Sequence, residues 1–427
     1  MNKTVIKSID MTIYDETLSN GLRVILIPFE NRKNYSIEYT TRFGSNNIEF
    51  IPNDKKESVK VPYGIAHFLE HKMFEQEDGE DPFSFFSKYG SDANAATGYK
   101  STSYTVDGTN NIEENLDYLL TYVNSPYFTD ENVEKEKNII IEEVNMYKDE
   151  PEGKLFEESN KAIFKKHPMR VDIGGTPKSV RSITKEQLYG CYNSFYQPSN
   201  MFIVIGGNFD VESVLNVIKN NKALNNRVIC DIAKNVQIKE PLNVNTKEKE
   251  LNINNIMIPK VIYTLKVSLK DIYLKERYKY KIYANILASL IYGNSSDFRE
   301  EMLNKQLFTI FSTSVDIVDD FMLIEFVIES NKPKDIVEYV KSYFGNTEID
   351  DDGVERQKRV YISNLVFGSD NVENVVNSTV DHIIDYGDLV LDKIEFIRSI
   401  NKEDIIEFKK RINIDNSSLV IGYPKNN

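Results

Sequence analysis

The sequence predicts an α+β protein made of two duplicated domains, each a largely antiparallel sheet with flanking helices. Three observations predict it. The chain has 427 residues, room for two to three domains at ~150 residues each. The first ~45 residues read as strands, and long amphipathic helices follow further along. An octapeptide also recurs. Arg181-Ser182-Ile183-Thr184-Lys185-Glu186-Gln187-Leu188 returns as Arg398-Ser399-Ile400-Asn401-Lys402-Glu403-Asp404-Ile405. Each copy precedes a helical stretch and then an apolar strand ending in glycine, Ile203-Val204-Ile205-Gly206 and Leu419-Val420-Ile421-Gly422. Two matches in the same order, each near the end of a half, argue for duplication. The polar, weakly periodic stretch 227–250 is read as a linker between a first domain at 1–226 and a second at 251–427.

Along the first half, Asn20-Gly21 marks a turn before the apolar run Val24-Ile25-Leu26-Ile27. Residues 35–42 alternate as a strand. Residues 61–74 are helical in character, opened by Pro62, and 82–88 form a short helix ended by Tyr89-Gly90. Residues 93–99 and 101–106 pair as a hairpin. Residues 111–123 and 130–147 are long amphipathic helices, and 201–207 is a buried strand.

Composition narrows the function classes. Apolar residues make up 41% and charged residues 28%, which fits a soluble globular chain. A formal net charge of −14 disfavours nucleic acid or an anionic membrane surface as partner. No apolar run approaches the ~18 residues of a membrane span. The two cysteines, Cys191 and Cys230, form no CxxC pair and suggest neither a disulfide framework nor a cysteine metal site. With no apolar leader segment at the N-terminus, the expectation is a cytoplasmic protein.

The chemistry concentrates in His67-Phe68-Leu69-Glu70-His71. On a helix, positions i, i+3 and i+4 share one face. Two imidazoles one turn apart can grip one tetrahedral zinc, with a carboxylate beside them to take a proton from water. Hydrolytic zinc sites use a third protein ligand and keep one position open. The helix at 130–147 offers Glu136, Glu142 and Glu143. Glu136 and Glu143 are seven apart, on a face shared with Ile139 and Ile140, which predicts that this face points inward. Two further histidines, His167 and His382, stand alone and read as structural.

These residues resemble the pitrilysin-type zinc peptidases, the inverzincins, whose motif is H-x-x-E-H. The likeness extends over Gly64 to Phe74, Asn94-Ala95-Ala96-Thr97, Glu136 to Val144, His167-Pro168 and Tyr196-Gln197-Pro198-Ser199-Asn200-Met201. It is strong over 15–210 and persists afterwards as a weak second copy. The nearest branch is the bacterial relatives of mitochondrial processing peptidase. The resemblance implies one zinc per chain on His67, His71 and Glu143, with Glu70 as general base and Glu136 as a supporting glutamate. The spacing from His71 to Glu143 is slightly short for the family. A trimmed loop at 75–81 accounts for it, and Glu142 remains the adjacent alternative. The resemblance also implies a substrate strand along Asn94, Ala95 and Thr97, and two domains facing each other as a clamshell. The implied activity is that of a zinc metalloendopeptidase, cutting unfolded peptides or leader and presequence segments through zinc-activated water. A non-catalytic partner subunit and a peptide-binding module with a structural zinc are the alternatives.

The second half lacks the motif. Shifted by 217 residues, His67, Glu70 and His71 fall opposite Ala284, Leu287 and Ala288. Active members of the family carry an arginine and a tyrosine seven residues apart in the non-metal domain, which hold the substrate backbone. Here the position seven after Arg299 is Gln306, and the tyrosine's place falls on Phe308 or Thr309, before Phe311-Ser312. The resemblance therefore implies a related second subunit that completes the site in a heterodimer, with a homodimer as the alternative.

Overall fold

A computed structural model describes residues 1–227 and 231–425. Its strands are β1 (Asn2–Ile6), β2 (Met11–Thr17), β3 (Arg23–Pro28), β4 (Tyr35–Thr41), β5 (Glu49–Ile51), β6 (Val59–Lys60), β7 (Asp92–Thr97) and β8 (Thr102–Gly108). They continue with β9 (Met201–Gly207), β10 (Lys234–Asn235), β11 (Glu248–Ile253), β12 (Lys260–Ser268), β13 (Ile310–Val318), β14 (Phe321–Glu329) and β15 (Ser417–Pro424). One sheet runs β1-β2-β3-β9-β4-β8-β7, another β11-β15-β12-β14-β13, and β10-β5-β6 form a small third. The two large sheets share one plan. A parallel pair, β3 with β9 or β11 with β15, is followed by three antiparallel pairings. This is the α+β, largely antiparallel duplication that the octapeptide predicted.

The octapeptide's physical content is a helix start. Thr184 accepts from the Gln187 amide while Gln187 bonds back to the Thr184 amide, opening the helix Lys185–Phe195. Asn401 and Asp404 do the same for Lys402–Arg411. Each reciprocal cap satisfies two otherwise orphaned amides and aims the following chain into β9 or β15.

The chain divides into two compact units. One comprises Met1–Asn145, Val171–Gln237 and Phe367–Ile384; the other comprises Met146–Arg170, Ile238–Val366 and Asp385–Asn427. The main crossing, at Gln237–Ile238, falls inside the stretch 227–250. The other crossings, by two helices, were not anticipated. Helix Pro151–Ile163 buries Leu155 and Ala162 with Ile253, Ile262 and Val420 of the second sheet. Helix Val372–Tyr386 sets Val372 and Val376 against Gly206 of the first. The repeated strand glycine explains both. A Cβ at Gly206 would lie 2.8 Å from the Val376 side chain, and one at Gly422 would lie 2.3 Å from Ile253 and 3.4 Å from Leu155. Gly206→Ala is therefore expected to destabilise the protein by about 1–3 kcal/mol through overpacking. Gly190→Ala, in the helix Lys185–Phe195 with nothing within 4 Å of its would-be Cβ, should instead gain roughly 0.5–1 kcal/mol. Urea unfolding midpoints of the two variants compare them directly.

The stretch 227–250 is not a plain linker. Lys234–Asn235 pairs with β5, and Glu240 is buried, bonded to Lys266 Nζ at 2.8 Å and to the amides of Lys165, Lys166 and His167. A buried carboxylate needs such partners, which ties this segment into the second unit. Cys191 is a free, buried thiol, whereas Cys230 lies outside the described residues. Among the described residues no helix is long and apolar enough to cross a membrane.

Candidate metal centre

The motif helix is Ile65–Met73. It starts later than Pro62 suggests, because Gly64 adopts φ +88° and interrupts the helical run. That conformation favours glycine, and so does the packing: a Cβ at Gly64 would meet the Gly174 carbonyl at 2.4 Å. The loop 174–175 is thus pressed against the start of the helix. Ile65, Ala66, Phe68, Leu69 and Met73 are buried in the first core, which fixes the helix rotation and turns His67, Glu70 and His71 to the other side.

The helix Asp130–Asp149 supplies the acidic partners. It buries Val133, Ile140, Ile141 and Val144. Glu142 is exposed on the far side, while Glu143 is half-buried and faces the histidines. Its oxygens lie 3.8 Å from His67 Nε2 and 3.5 Å from His71 Nε2. The expectation that Ile139 points inward with Ile140 is corrected: Ile139 is 46% exposed. Among the described residues His67, His71 and Glu143 form the one cluster of three potential ligand atoms, all within 4.8 Å of one another.

This spacing fits zinc. Tetrahedral ligands about 2.0–2.1 Å from the metal lie roughly 3.3–3.4 Å from each other. His67 Nε2 and His71 Nε2 are 3.2 Å apart. His71 Nδ1 is 3.0 Å from Glu136 Oε1, so Nδ1 carries the proton and the Nε2 lone pair is free to ligate, the usual arrangement behind a metal-bound imidazole. Burial lowers the His67 pKa to about 4, helped by the nearby His71, which keeps its ring neutral and able to bind. His67 Nδ1 is buried without a hydrogen-bond partner. Burial acts against protonation of His71 too, but the Glu136 hydrogen bond and the charges of Glu70, Glu136 and Glu143 outweigh it and raise its pKa. For Glu136 the burial penalty is outweighed by the His71 bond and charge, so its carboxyl titrates below the usual range.

Glu70 is buried beside this cluster. Burial, reinforced by the Glu143 charge, raises its pKa against the opposing bonds from Thr97 and the charge of His71. A carboxylate raised this way is suited to take and return a proton. Strand β7 forms the edge of the first sheet, paired only with β8. Asn94 is exposed on it and caps the amide of Ala95 with its own Oδ1 at 2.9 Å. Thr97 turns its hydroxyl to Glu70 Oε2 at 2.5 Å, a bond no sequence signal indicated.

In the second unit the helix Arg277–Tyr292 buries Ala284, Leu287 and Ala288, leaving no ligand at those positions. His167 is buried, 3.0 Å from Asp319 Oδ2 through Nε2, and its Nδ1 accepts from the Met169 amide, so its ring is committed to structure. His382 Nε2 lies 3.5 Å from Ser378 Oγ.

Comparison with known proteins follows the same division. Residues 57–176 match the family model "Insulinase (Peptidase family M16)", and 182–361 match "Peptidase M16 inactive domain". The Bacillus subtilis protein named "Uncharacterized zinc protease YmfH" is 41% identical over 295 residues, covering 69% of this chain and 68% of that one. The crystal structure of an M16-like peptidase from Alicyclobacillus acidocaldarius superposes with a TM-score of 0.91 at 28% identity, over 97% of this chain and 99% of that chain. A Helicobacter pylori protease shares the fold at 19% identity, with a TM-score of 0.81 over 96% and 99% of the two chains.

Proposed function

This chain belongs to the M16 (insulinase) family of peptidases, and from that premise we propose that it is a zinc endopeptidase acting on unfolded peptides or leader segments. The observation that carries the reading is the convergence of His67, His71 and Glu143 within 4.8 Å beside a buried carboxylate that is not one of the three. When bound, zinc would acidify a coordinated water and polarise the scissile carbonyl. His67 and His71 present Nε2, and Glu136 holds His71 in the tautomer that does so. Glu70 accepts one proton from the attacking water as the carbon–oxygen bond forms. It returns that proton to the amine nitrogen as the carbon–nitrogen bond breaks. The outer edge of β7 offers the main chain around Asn94 and Ala95 to an extended peptide, which would add as a strand in place of the Asn94 side chain that now caps the Ala95 amide.

A purely structural zinc does not call for a proton-transfer carboxylate beside it, and a non-catalytic subunit has no need of the full set; Glu70 with its three neighbours favours the enzyme. A reducing, cytoplasmic setting and a related partner subunit belong to the same proposal. Arg299 supports the partner: its Nη1 donates to the Phe311 carbonyl at 2.9 Å, and its guanidinium lies over the rings of Phe308 and Phe311. It is engaged in its own unit rather than held ready for a substrate backbone. The test is to incubate the zinc-loaded protein with a library of unstructured peptides and map the cuts by mass spectrometry. Internal cuts made by the wild type and absent with Glu70→Gln are expected. No cut, with or without a related subunit, would refute the reading. Turnover near ~10 s⁻¹, typical of enzymes, by the isolated chain would remove the need for a partner.

A further inference from the structure

We propose that Thr97 is a positioning residue that holds the Glu70 carboxylate, backed by Thr102, whose hydroxyl is tied to the carbonyl of Phe43. The inference rests on the proposed reading of Glu70 as the proton carrier. It assigns Thr97 a role different from the substrate contact that its place on β7 suggests.

The geometry is a short line of oxygens. Thr97 Oγ1 is 2.5 Å from Glu70 Oε2, Thr97 Oγ1 is 3.3 Å from Thr102 Oγ1, and Thr102 Oγ1 donates to Phe43 O at 2.9 Å. Thr97 ends β7 and Thr102 begins β8, opposite each other in register. The connecting turn is clamped. The Ser45 and Asn46 amides donate to the Gly98 and Tyr99 carbonyls. A Cβ at Gly44 would meet Ser101 N and Tyr99 C at 2.6 Å. Thr102 is fully buried, and its one proton is committed to Phe43 O. The line therefore has a fixed end at the backbone and a working end at Glu70.

A hydroxyl suits a group that gains and loses a proton in each cycle, because it both donates and accepts. Facing the carboxylate, Thr97 donates. Facing the carboxylic acid, it accepts from Glu70, and its own proton turns to Thr102 Oγ1, 3.3 Å away. An apolar group of the same shape does neither. Glu70 would then be left buried without that bond, free to turn from its productive direction, and small misplacements of a catalytic group are costly.

The experiment compares wild type, Thr97→Val, Thr97→Ser and Glu70→Gln in zinc-loaded protein on one cleaved peptide. It is joined by zinc analysis and by a crystal structure of Thr97→Val. Thr97→Val should lower kcat about tenfold or more with KM within about twofold and zinc content unchanged, and the Glu70 carboxylate should leave its wild-type position in the crystal. Thr97→Ser should restore most of kcat. A Thr97→Val protein with wild-type kcat, or with raised KM and unchanged kcat, overturns the proposal; the second result would make Thr97 a substrate contact. If Thr97→Val fails to fold, Thr97→Ser and Thr102→Val carry the test, the latter expected to lower kcat alone. If Glu70→Gln cleaves as well as wild type, the reading of Glu70 fails and the positioning role with it. A silent Thr97→Val beside an inactive Glu70→Gln rejects the positioning role only.

Discussion

Glu70→Gln should retain the fold and one zinc per chain while losing at least ~10²-fold in turnover, the scale for removing a general base. The substitution keeps the side-chain volume and leaves an amide that can still accept from the Thr97 hydroxyl where Oε2 now accepts at 2.5 Å. It removes the group that can carry a proton. Stability should not fall: Glu70 is buried and its charged form is penalised by that burial and by Glu143, so a neutral isostere costs nothing electrostatically. The sign of the pH effect follows. A carboxyl whose folded pKa lies above its unfolded value weakens the fold as pH rises from the unfolded value through the folded one. In metal-free protein, Glu70→Gln should therefore match wild type at acid pH and be equal or more stable at neutral pH. Kinetics, zinc analysis and thermal unfolding across pH check the three parts. Full activity would place the base elsewhere.

The residues show how much could be read beforehand and why the rest could not. His67, Glu70 and His71 were legible because helix geometry alone puts i, i+3 and i+4 on one face. The duplication was legible because each copy of the octapeptide contains a reciprocal helix cap, a local interaction written in nearby residues. The choice of Glu143 over Glu142 was within reach. At about 100° per residue, Val133, Ile140, Ile141 and Val144 define one buried face, and Glu142 falls opposite it. Counting Ile139 as inward blurred that face. The crossing helices were not legible: Pro151–Ile163 and Val372–Tyr386 each carry an apolar stripe, and nothing in such a stripe names the sheet it will cover. Only Gly206 and Gly422 hint at it, as notches without a stated occupant. Glu240 looked like a linker residue because its partners, Lys266 and three amides, lie far off in sequence. The Thr97–Glu70 bond spans 27 residues and has no periodic signature at all.

Removing a ligand should abolish zinc binding, and the two acidic helix positions should differ. His71→Ala and Glu143→Gln are each expected to lose stoichiometric zinc in elemental analysis and with it all measurable turnover. Glu142→Gln should bind and cleave like wild type, since Glu142 is exposed on the opposite side of its helix. Glu136→Gln should sit between these extremes. It keeps both imidazoles and Glu143 but weakens the bond that fixes the His71 tautomer, and supporting changes of this kind cost about 10–100-fold in metal affinity. Proton competition adds a direction. Glu136, Glu70 and Glu143 raise the His71 pKa, so protons occupy Nε2 over a wider range of pH and zinc affinity should fall as pH drops through and below neutrality. Glu136→Gln removes part of that elevation, so its affinity should decline less steeply with acid even though it is lower at pH 8. Titrating each variant with zinc at pH 6 and pH 8 separates these expectations. If Glu142→Gln lost the metal and Glu143→Gln kept it, the ligand assignment would be wrong by one residue. If neither mattered, the two histidines would have to be completed by a group outside this helix.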